Sequence, residues 1–387
     1  MTPRSAAQGA PRPEATVGLV VEQLRRRVPG GIGTYSRGLI SGLLELAPGE
    51  RPPLALIASR APAGADPLTA LGPPLSLSRS SSRWLTEAWS VGVARLRGYR
   101  LVHSTSLDVP ISEAPLVVTV HDLLWRELPE AYGRHGRAWH EAALRRAARR
   151  ATAFVVPDAS VREALLGSGL GIGASQVEVI EEGADHLPPA DDAAASGALR
   201  ALGVEGGFLL CVGTLEPRKN LPRLFAAYRE ARQACPGLVP LVVCGPEGWG
   251  QVVGDGAAGE GVLLAGRVPD ATLAALYRRA PALVHVPLAE GFGLPVVEAM
   301  AAGTPVVASP IPANGGAALE VDPLEVPAIA KAILTVSSDA AARERLVAAG
   351  RRRAASLTWR ACAAAHVSLW DSVAPRSPHD EHGPNER

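Results

Sequence analysis

The chain has 387 residues, a length that suits two domains better than one ordinary hydrophobic core. Its hydrophobic content of 47% is ample for burial, and its formal net charge of +1 gives no general electrostatic attraction to nucleic acid. No apolar run approaches the roughly 20 residues that a membrane-spanning helix needs, and residues 1–14 are polar and Pro-rich, without the apolar segment of a secretory signal.

The four cysteines show no CxxC spacing: they are Cys211, Cys235, Cys244 and Cys362. Cys211 and Cys244 lie in apolar, strand-like runs, which indicates core thiols in a reducing cytoplasm rather than a zinc site. We therefore expect a cytoplasmic protein with no nucleic-acid partner and no bound metal.

Along the first half, short apolar runs alternate with helical periods, which is typical of parallel α/β layers. Residues 15–186 predict one Rossmann-like domain. Its predicted strands are 17–21, 54–58, 101–103, 116–120, 153–156 and 177–180. Its predicted helices are 35–46, 83–96, 135–150 and 160–166, and residues 60–82 predict a long loop.

Residues 186–196 carry a Pro-Pro pair and an Asp-Asp pair, and they predict a linker to a second domain at 197–357. The predicted strands there are 208–212, 238–244, 262–264, 282–286 and 305–308. The predicted helices are 221–234, 271–279, one starting at Pro295, 325–336 and 340–355. A last helix, 358–373, is expected to bury its apolar stripe on the first domain, and the tails 1–14 and 374–387 predict disorder.

One stretch, residues 290–307 (EGFGLPVVEAMAAGTPVV), combines two carboxylates with a glycine turn and a helix N-terminus. Pro295 fits the first helical position, and Glu298 is expected in the first turn. Unsatisfied backbone N–H groups at such a helix start favour anions and hydroxyl oxygens. The pattern leaves two interpretations of Glu298 open, a helix cap and a ligand-binding residue.

Three further groups fall at the carboxyl ends of predicted strands, where open α/β sheets bind ligands. Arg218 and Lys219 could neutralise a diphosphate, although a solvated basic turn would carry the same residues. The glycines at 30, 31 and 33 could let the backbone approach a phosphate or sugar, or could serve an ordinary turn. His121 could bond a sugar hydroxyl or be a structural histidine.

A predicted helix carries four arginines, Arg145, Arg146, Arg149 and Arg150, which favour either a solvated face or contact with an anionic membrane surface. The second interpretation would place the protein at the inner face of the membrane as a peripheral protein.

Three segments together resemble the retaining GT-B glycosyltransferases of family four: residues 213–220 (GTLEPRKN), 266–268 (GRV) and 290–298 (EGFGLPVVE). The resemblance extends over residues 16–372 and is most specific in the second half. It implies an α/β fold of two Rossmann-like domains facing a central cleft, with the C-terminal helix crossing back to the first domain. One departure is that residues 313–316 (ANGG) are shorter than the family's usual segment, in the wall of the donor site.

The resemblance also implies roles for residues at matching positions. Arg218 and Lys219 would hold the diphosphate of a nucleotide-sugar donor, Glu298 would bind its ribose, and Glu290 its sugar. Other donor contacts would come from the following residues: Phe292, Gly293, Leu294, Gly213, Gly266, Arg267, Val268, Gly31 and Gly33. Glu290, His121, Arg218 and Lys219 are the candidate catalytic residues.

These expectations describe a metal-independent hexosyltransferase of polysaccharide or glycoconjugate assembly that retains the anomeric configuration. The resemblance of residues 216–220 to mannosyltransferases makes GDP-mannose the first expected donor, and the acceptor would be a sugar, lipid-linked or other hydroxyl compound. Two alternatives are a noncatalytic sugar-nucleotide-binding or scaffold subunit of the same fold, and a nicotinamide-dependent oxidoreductase. The oxidoreductase alternative is disfavoured, because the sequence has no Gly-x-Gly-x-x-Gly motif after the first strand of either domain.

Overall fold

The computed structural model describes residues 15–60, 66–78, 81–91, 94–248, 259 and 261–374. The tails predicted to be disordered, 1–14 and 374–387, lie outside the described residues except for Ala374. In the described part of the chain, no helix combines the length and the apolar content that a membrane span requires.

The first sheet is parallel and follows the strand order β3-β2-β1-β5-β7-β8-β9. Its strands are β1 (Val17–Val20), β2 (Leu54–Ala58), β3 (Leu75–Leu77), β5 (Leu101–Ser104), β7 (Leu116–Thr119), β8 (Ala153–Val156) and β9 (Val177–Val179). A separate two-stranded ribbon pairs β4 (Arg95–Leu96) with β6 (Ile111–Ser112). The central strands are buried along their whole length, as their continuous apolar runs predict.

The helices of this domain are α1 (Gly30–Glu45), α2 (Ser82–Val91), α3 (Leu124–Glu127), α4 (Arg134–Arg150) and α5 (Ala159–Leu166). The prediction of one loop over residues 60–82 was wrong, because β3 adds an edge strand to β2 and a 3₁₀ turn spans Pro67–Leu71. The predicted helix 83–96 ends at Val91, since residues 95–96 pair with β6 instead.

The second sheet is also parallel, in the order β12-β11-β10-β13-β14-β15. Its strands are β10 (Leu209–Val212), β11 (Leu241–Cys244), β12 (Val262–Gly266), β13 (Leu283–His285), β14 (Val306–Ala308) and β15 (Leu319–Glu320). Its helices are α6 (Asp192–Ala201), α7 (Leu221–Ala234), α8 (Asp270–Arg279), α9 (Leu294–Ala302), α10 (Val326–Ser338) and α11 (Ala340–Ala355). The linker predicted at 186–196 is shorter, because Asp191 caps α6: its Oδ1 accepts from Ala194 N at 2.9 Å.

The last helix, α12 (Trp359–Val373), returns to the first domain and packs along α1. Two polar contacts fix it there. Arg100 donates to Asp371 Oδ1 at 2.6 Å, and Tyr35 Oη lies 2.8 Å from His366 Nε2 in the buried interface. The predicted architecture of two Rossmann-like units with a C-terminal helix crossing back is therefore confirmed.

Each sheet has a point at which the strand order reverses. In the first sheet it lies between β1 and β5, and in the second between β10 and β13. The loops that leave adjacent strands at such a point diverge and open a crevice, which is where open α/β sheets bind ligands. The topology thus directs attention to the segments that follow β1, β10 and β13.

Candidate functional site

The carboxyl ends of the two sheets open into one cleft of about 730 Å³. The first domain contributes the segments after β1 and β7, and the second domain contributes the segments after β10 and β13. Most of the predicted site residues line this cleft: Gly31, Gly33, His121, Gly213, Arg218, Lys219, Arg267, Val268, Glu290, Phe292, Gly293, Leu294 and Glu298. Gly266 does not, since it ends β12 and its carbonyl accepts from Gly245 N at 2.9 Å.

The glycines after β1 belong to a helix rather than to the predicted loop. Helix α1 begins at Gly30, before the predicted start at residue 35, so Gly31 and Gly33 lie in its first turn. The first N–H groups of a helix have no intrahelical acceptor, and they carry the positive end of its dipole. A Cβ added to Gly31 would lie 3.9 Å from Leu294 Cδ1, so the N-termini of α1 and α9 approach each other across the cleft.

Arg218 and Lys219 are paired with carboxylates and are not free cations. Arg218 Nη1 donates to Glu290 Oε1 at 2.7 Å, and Lys219 Nζ donates to the same oxygen. Arg218 Nε lies 2.5 Å from Glu216 Oε1. The cluster is largely shielded from solvent, with the side chains of Lys219 and Glu290 only 9% and 8% exposed.

The pKa values in this cluster follow from burial and from the mutual charges. Burial opposes ionisation of Glu290, but the charges of Arg218 and Lys219 outweigh it and hold the pKa of Glu290 well below its ordinary value. Burial likewise lowers the pKa of Lys219, although Glu290 opposes that effect. Burial raises the pKa of Glu216. Glu290 is therefore a stable carboxylate, which makes it a poor proton donor and a weak nucleophile.

The backbone around the two cations is fixed by a strained residue. Residues Pro217–Lys219 form a 3₁₀ turn that ends at Asn220, whose φ of 58° is left-handed. The Asn220 side chain holds this turn by donating to the carbonyls of Val286 at 3.0 Å and Pro323 at 2.7 Å. Leu288 N also donates to the Arg218 carbonyl at 2.8 Å, which joins the segments after β10 and β13.

Glu298 is a buried, fully oriented carboxylate rather than a helix cap. It is the fifth residue of α9, beyond the first turn in which it was predicted, so the capping interpretation was wrong. Tyr277 Oη donates to its Oε2 at 2.7 Å, and His186 Nε2 lies 3.1 Å from its Oε1. Burial opposes protonation of His186, but the bond to Glu298 outweighs it and raises the pKa of His186.

His121 has protein partners on both ring nitrogens. Its Nδ1 lies 3.4 Å from Glu182 Oε1, and its Nε2 donates to the Thr105 carbonyl at 3.0 Å. Burial opposes the charged imidazole, but the bond to Glu182 outweighs it and raises the pKa of His121. In this arrangement neither nitrogen is free to bond a sugar hydroxyl, so the imidazole can act on a ligand through its charge.

The two domains touch at His121. A Cβ added to Gly291 would overlap the His121 carbonyl oxygen, so the glycine turn after β13 packs directly on the end of β7. Gly293, with φ of 109°, then starts α9 and packs on Ile311 and Ala313. Ile311 and Ala313, on either side of Pro312, therefore pack behind the glycine turn.

An aromatic wall on the first domain received no role from the sequence. Trp125 stacks on His140 with ring centroids 4.8 Å apart, and Trp139 meets the same histidine edge-on at 4.9 Å. Tyr132 also packs on His140, and the Arg26 guanidinium lies 5.5 Å from the Trp139 ring. All five side chains line the cleft. The only sequence signal was the clustering of aromatic residues between 125 and 139.

The described residues contain no group of three or more His, Cys, Asp or Glu side chains arranged to hold a metal ion. Within the same residues, positive charge along the cleft comes from Arg218 and Lys219, from two helix N-termini, and from three further arginines in the lining, Arg26, Arg37 and Arg267.

Two family models match the chain, one in each half. Residues 29–186 match the model described as Glycosyltransferase Family 4, and residues 207–339 match the one described as Glycosyl transferases group 1. The chain is 35% identical over 173 residues to O-antigen chain mannosyltransferase B of Escherichia coli, an alignment that covers 42% of this chain and 45% of that protein. It thus spans less than half of that relative.

A longer alignment relates the chain to a second mannosyltransferase. It is 29% identical over 310 residues to the phosphatidyl-myo-inositol mannosyltransferase of Mycobacterium tuberculosis, covering 76% of this chain and 77% of that protein. Among solved structures, Anabaena Alr3699/HepE in complex with UDP-glucose superposes with a TM-score of 0.68 at 17% identity, over 92% of this chain and 99% of that one. That likeness establishes a shared fold.

Proposed function

The chain belongs to the family 4 glycosyltransferases, and from this we propose that it transfers a hexose from a nucleotide-diphosphate sugar to a hydroxyl acceptor with retention of configuration. Mannose is the first sugar proposed, with GDP-mannose as donor, because both relatives described above are named mannosyltransferases. Polysaccharide or glycoconjugate assembly is the proposed setting. Alr3699/HepE was solved with a uridine nucleotide, so UDP-sugars are tested beside GDP-sugars.

The observation that carries the proposal is the buried cation pair, Arg218 and Lys219, which lines the same cleft as the N-termini of α1 and α9. A leaving diphosphate develops negative charge, and preorganised donors stabilise it without reorganisation during the reaction. Arg218 and Lys219 are fixed by Glu290 and by the left-handed turn at Asn220, beside the N-terminus of α9. Such fixed cations supply the charge for which other enzymes use a metal, and we propose metal-independent transfer.

In the proposed step, the bond between the anomeric carbon and the phosphate oxygen breaks while the acceptor oxygen bonds to the same carbon on the same face. The acceptor proton passes to the departing phosphate oxygen, and a nucleoside diphosphate leaves. Glu290 accepts hydrogen bonds from both cations, and its pKa is strongly lowered. It is therefore suited to bind sugar hydroxyls and to stabilise positive charge on the sugar rather than to attack the anomeric carbon. Contact between Gly291 and His121 brings the domains together, which helps to exclude water.

The acceptor side is proposed to be the aromatic wall, and the acceptor to be a saccharide. Sugar rings present C–H faces that pack on aromatic rings, while their hydroxyls take hydrogen bonds. The half-buried Trp139 and Tyr132 provide such faces, and Arg26 beside Trp139 adds a donor. A membrane-facing α4 has less support, because Arg145 pairs with Glu141 and Arg150 donates to buried carbonyls.

The test is a panel of GDP- and UDP-sugars with the purified chain, with and without chelator, scored for nucleotide release and thermal stabilisation. A ligand that binds the folded form raises its apparent stability. We expect one donor to be both stabilising and turned over, equally with chelator present. Binding without turnover toward any saccharide acceptor would favour the scaffold alternative.

A further inference from the structure

The connection between the two domains supplies partners to two predicted site residues. Glu182 lies 3.4 Å from His121 Nδ1, and His186 lies 3.1 Å from Glu298 Oε1. Neither partner belongs to the sequence motifs of the cleft, and His186 does not line the cleft itself. His186 can therefore influence a ligand in the cleft through Glu298.

His186 stands where the chain crosses between the domains twice. Ala184 N donates to the Leu357 carbonyl at 2.9 Å, and Trp359 N donates to Asp185 Oδ1 at 2.8 Å. Trp359 is 2% exposed. A Cβ added to Gly183, or to Gly38 or Gly42 of α1, would overlap Trp359 atoms. Trp359, at the junction of the two crossings, is thus tightly packed against helix α1, whose N-terminus faces the cleft.

The hydrogen bonds at His186 have one consistent direction. Trp359 Nε1 can only donate, and it donates to His186 Nδ1 at 3.2 Å. Nδ1 is therefore the acceptor in the neutral ring, and Nε2 carries the proton that faces Glu298. Tyr277 supplies the other protein donor, on Oε2 at 2.7 Å. Among the described residues, each carboxylate oxygen then has one protein donor, which leaves a lone-pair direction for a ligand.

We propose that His186 is a positioning residue that fixes the Glu298 carboxylate for the donor ribose and ties it, through Trp359, to the crossing between the domains. This inference rests on the proposed function, since it takes Glu298 as the ribose ligand. A carboxylate fixed by two donors cannot rotate away from the ribose hydroxyls. Without His186, Glu298 Oε1 loses its fixed donor and the ribose must order the carboxylate on binding.

Two isosteric variants separate the two bonds of His186. In His186→Gln the amide nitrogen occupies about the place of Nε2 and keeps the bond to Glu298. In His186→Asn the side chain reaches only about as far as Nδ1, so it keeps a partner for Trp359 and loses Glu298. We expect His186→Asn to raise the donor KM about tenfold with little change in kcat, and His186→Gln to restore the KM to near that of the unmodified protein.

Binding of GDP, UDP and pyrophosphate is measured alongside, because pyrophosphate has no ribose. His186→Asn should weaken the preferred nucleoside diphosphate about tenfold and leave pyrophosphate unchanged, with the thermal midpoint of the apo protein close to that of His186→Gln. Equal KM values for the Asn and Gln variants, or equal weakening of pyrophosphate, would overturn the positioning role. If Glu298→Gln itself leaves nucleoside-diphosphate binding intact, the donor-site assignment fails instead, whatever the His186 variants do.

Discussion

Arg218 Nη1 lies 2.7 Å from Glu290 Oε1, so a cation after β10 is fixed to a carboxylate after β13 across the point where the strand order of the second sheet reverses. Lys219 donates to the same oxygen. The pair therefore does two things at once. It holds the two cations that are proposed to bind the diphosphate in place, and it keeps a carboxylate ionised inside a buried cluster.

Glu290→Gln should lower transfer about 100-fold while leaving nucleoside-diphosphate binding as tight as in the unmodified protein, or tighter. The amide cannot neutralise Arg218 and Lys219, so an anionic ligand meets more positive charge. The same change should destabilise the apo protein, because two buried cations lose a partner. Isothermal titration and kinetics check this, with exposed Glu230→Gln as control. Weaker nucleoside-diphosphate binding would show that the carboxylate contributes to that ligand directly.

Lys219→Ala should lower transfer by about 100-fold, because one of the two fixed cations proposed to stabilise the leaving group is lost. The chain has only two lysines, and Lys331 is exposed on α10, which makes Lys331→Ala a matched control. Circular dichroism should show both variants folded. Near-normal turnover by Lys219→Ala would contradict the proposal that Lys219 binds the donor diphosphate.

Glu298→Gln should also abolish most transfer at limiting donor, because the carboxylate proposed to accept from ribose hydroxyls is replaced by a group with one acceptor oxygen. Tyr277 and His186 are both donors toward Glu298, so the amide nitrogen would face one of them. Donor KM and nucleoside-diphosphate affinity measure the effect, again beside Glu230→Gln. Unchanged affinity in Glu298→Gln would mean that the ribose binds elsewhere.

Gly291→Ala should lower kcat roughly 100-fold, since its Cβ would overlap the His121 carbonyl and displace the turn that carries Glu290. Gly237→Ala is the control, because nothing lies within 4 Å of a Cβ built there. Turnover and thermal unfolding are compared for the pair. If Gly291→Ala turns over like Gly237→Ala, contact between the turn and β7 is not needed for transfer.

Much of the fold follows from local patterns. Strands 54–58 and 153–156, and helices 221–234 and 340–355, match the predicted bounds at both ends. The start of α1 was missed since glycines have low helix propensity, and three of the first four residues of this helix are glycines. The same low propensity made the segment look like a loop.

The partners of the site residues were not accessible from local patterns. Glu298 carries no sign in its own segment that Tyr277 and His186 are its donors, because both come from other parts of the chain. The pairing of Arg218 and Lys219 with Glu290 likewise depends on the two strands lying side by side. The sequence placed these segments at strand ends, and the sheet topology decided which of their charges are neutralised.

Trp139→Ala should raise the KM for a saccharide acceptor about tenfold and leave the donor KM unchanged, because the aromatic wall faces the acceptor in the proposed function. Trp84, which is 67% exposed on α2 and outside the cleft lining, provides the control variant Trp84→Ala. Initial rates over a grid of donor and acceptor concentrations separate the two constants. A change confined to the donor KM would place the acceptor on another surface.

Helix α12 should make stability depend on pH through His366. Its Nδ1 donates to the Cys362 carbonyl at 2.8 Å and its Nε2 accepts from Tyr35, so the buried ring is neutral, and burial lowers its pKa to about 4. The unfolded chain, with a pKa near 6.5, binds more protons, so stability is full above about pH 6.5 and falls toward pH 4. Between pH 7 and 5 we expect urea unfolding to show a loss of about 2 kcal/mol relative to the same interval in His366→Gln. Parallel pH dependence in the two proteins would mean that the ring is already protonated in the folded chain.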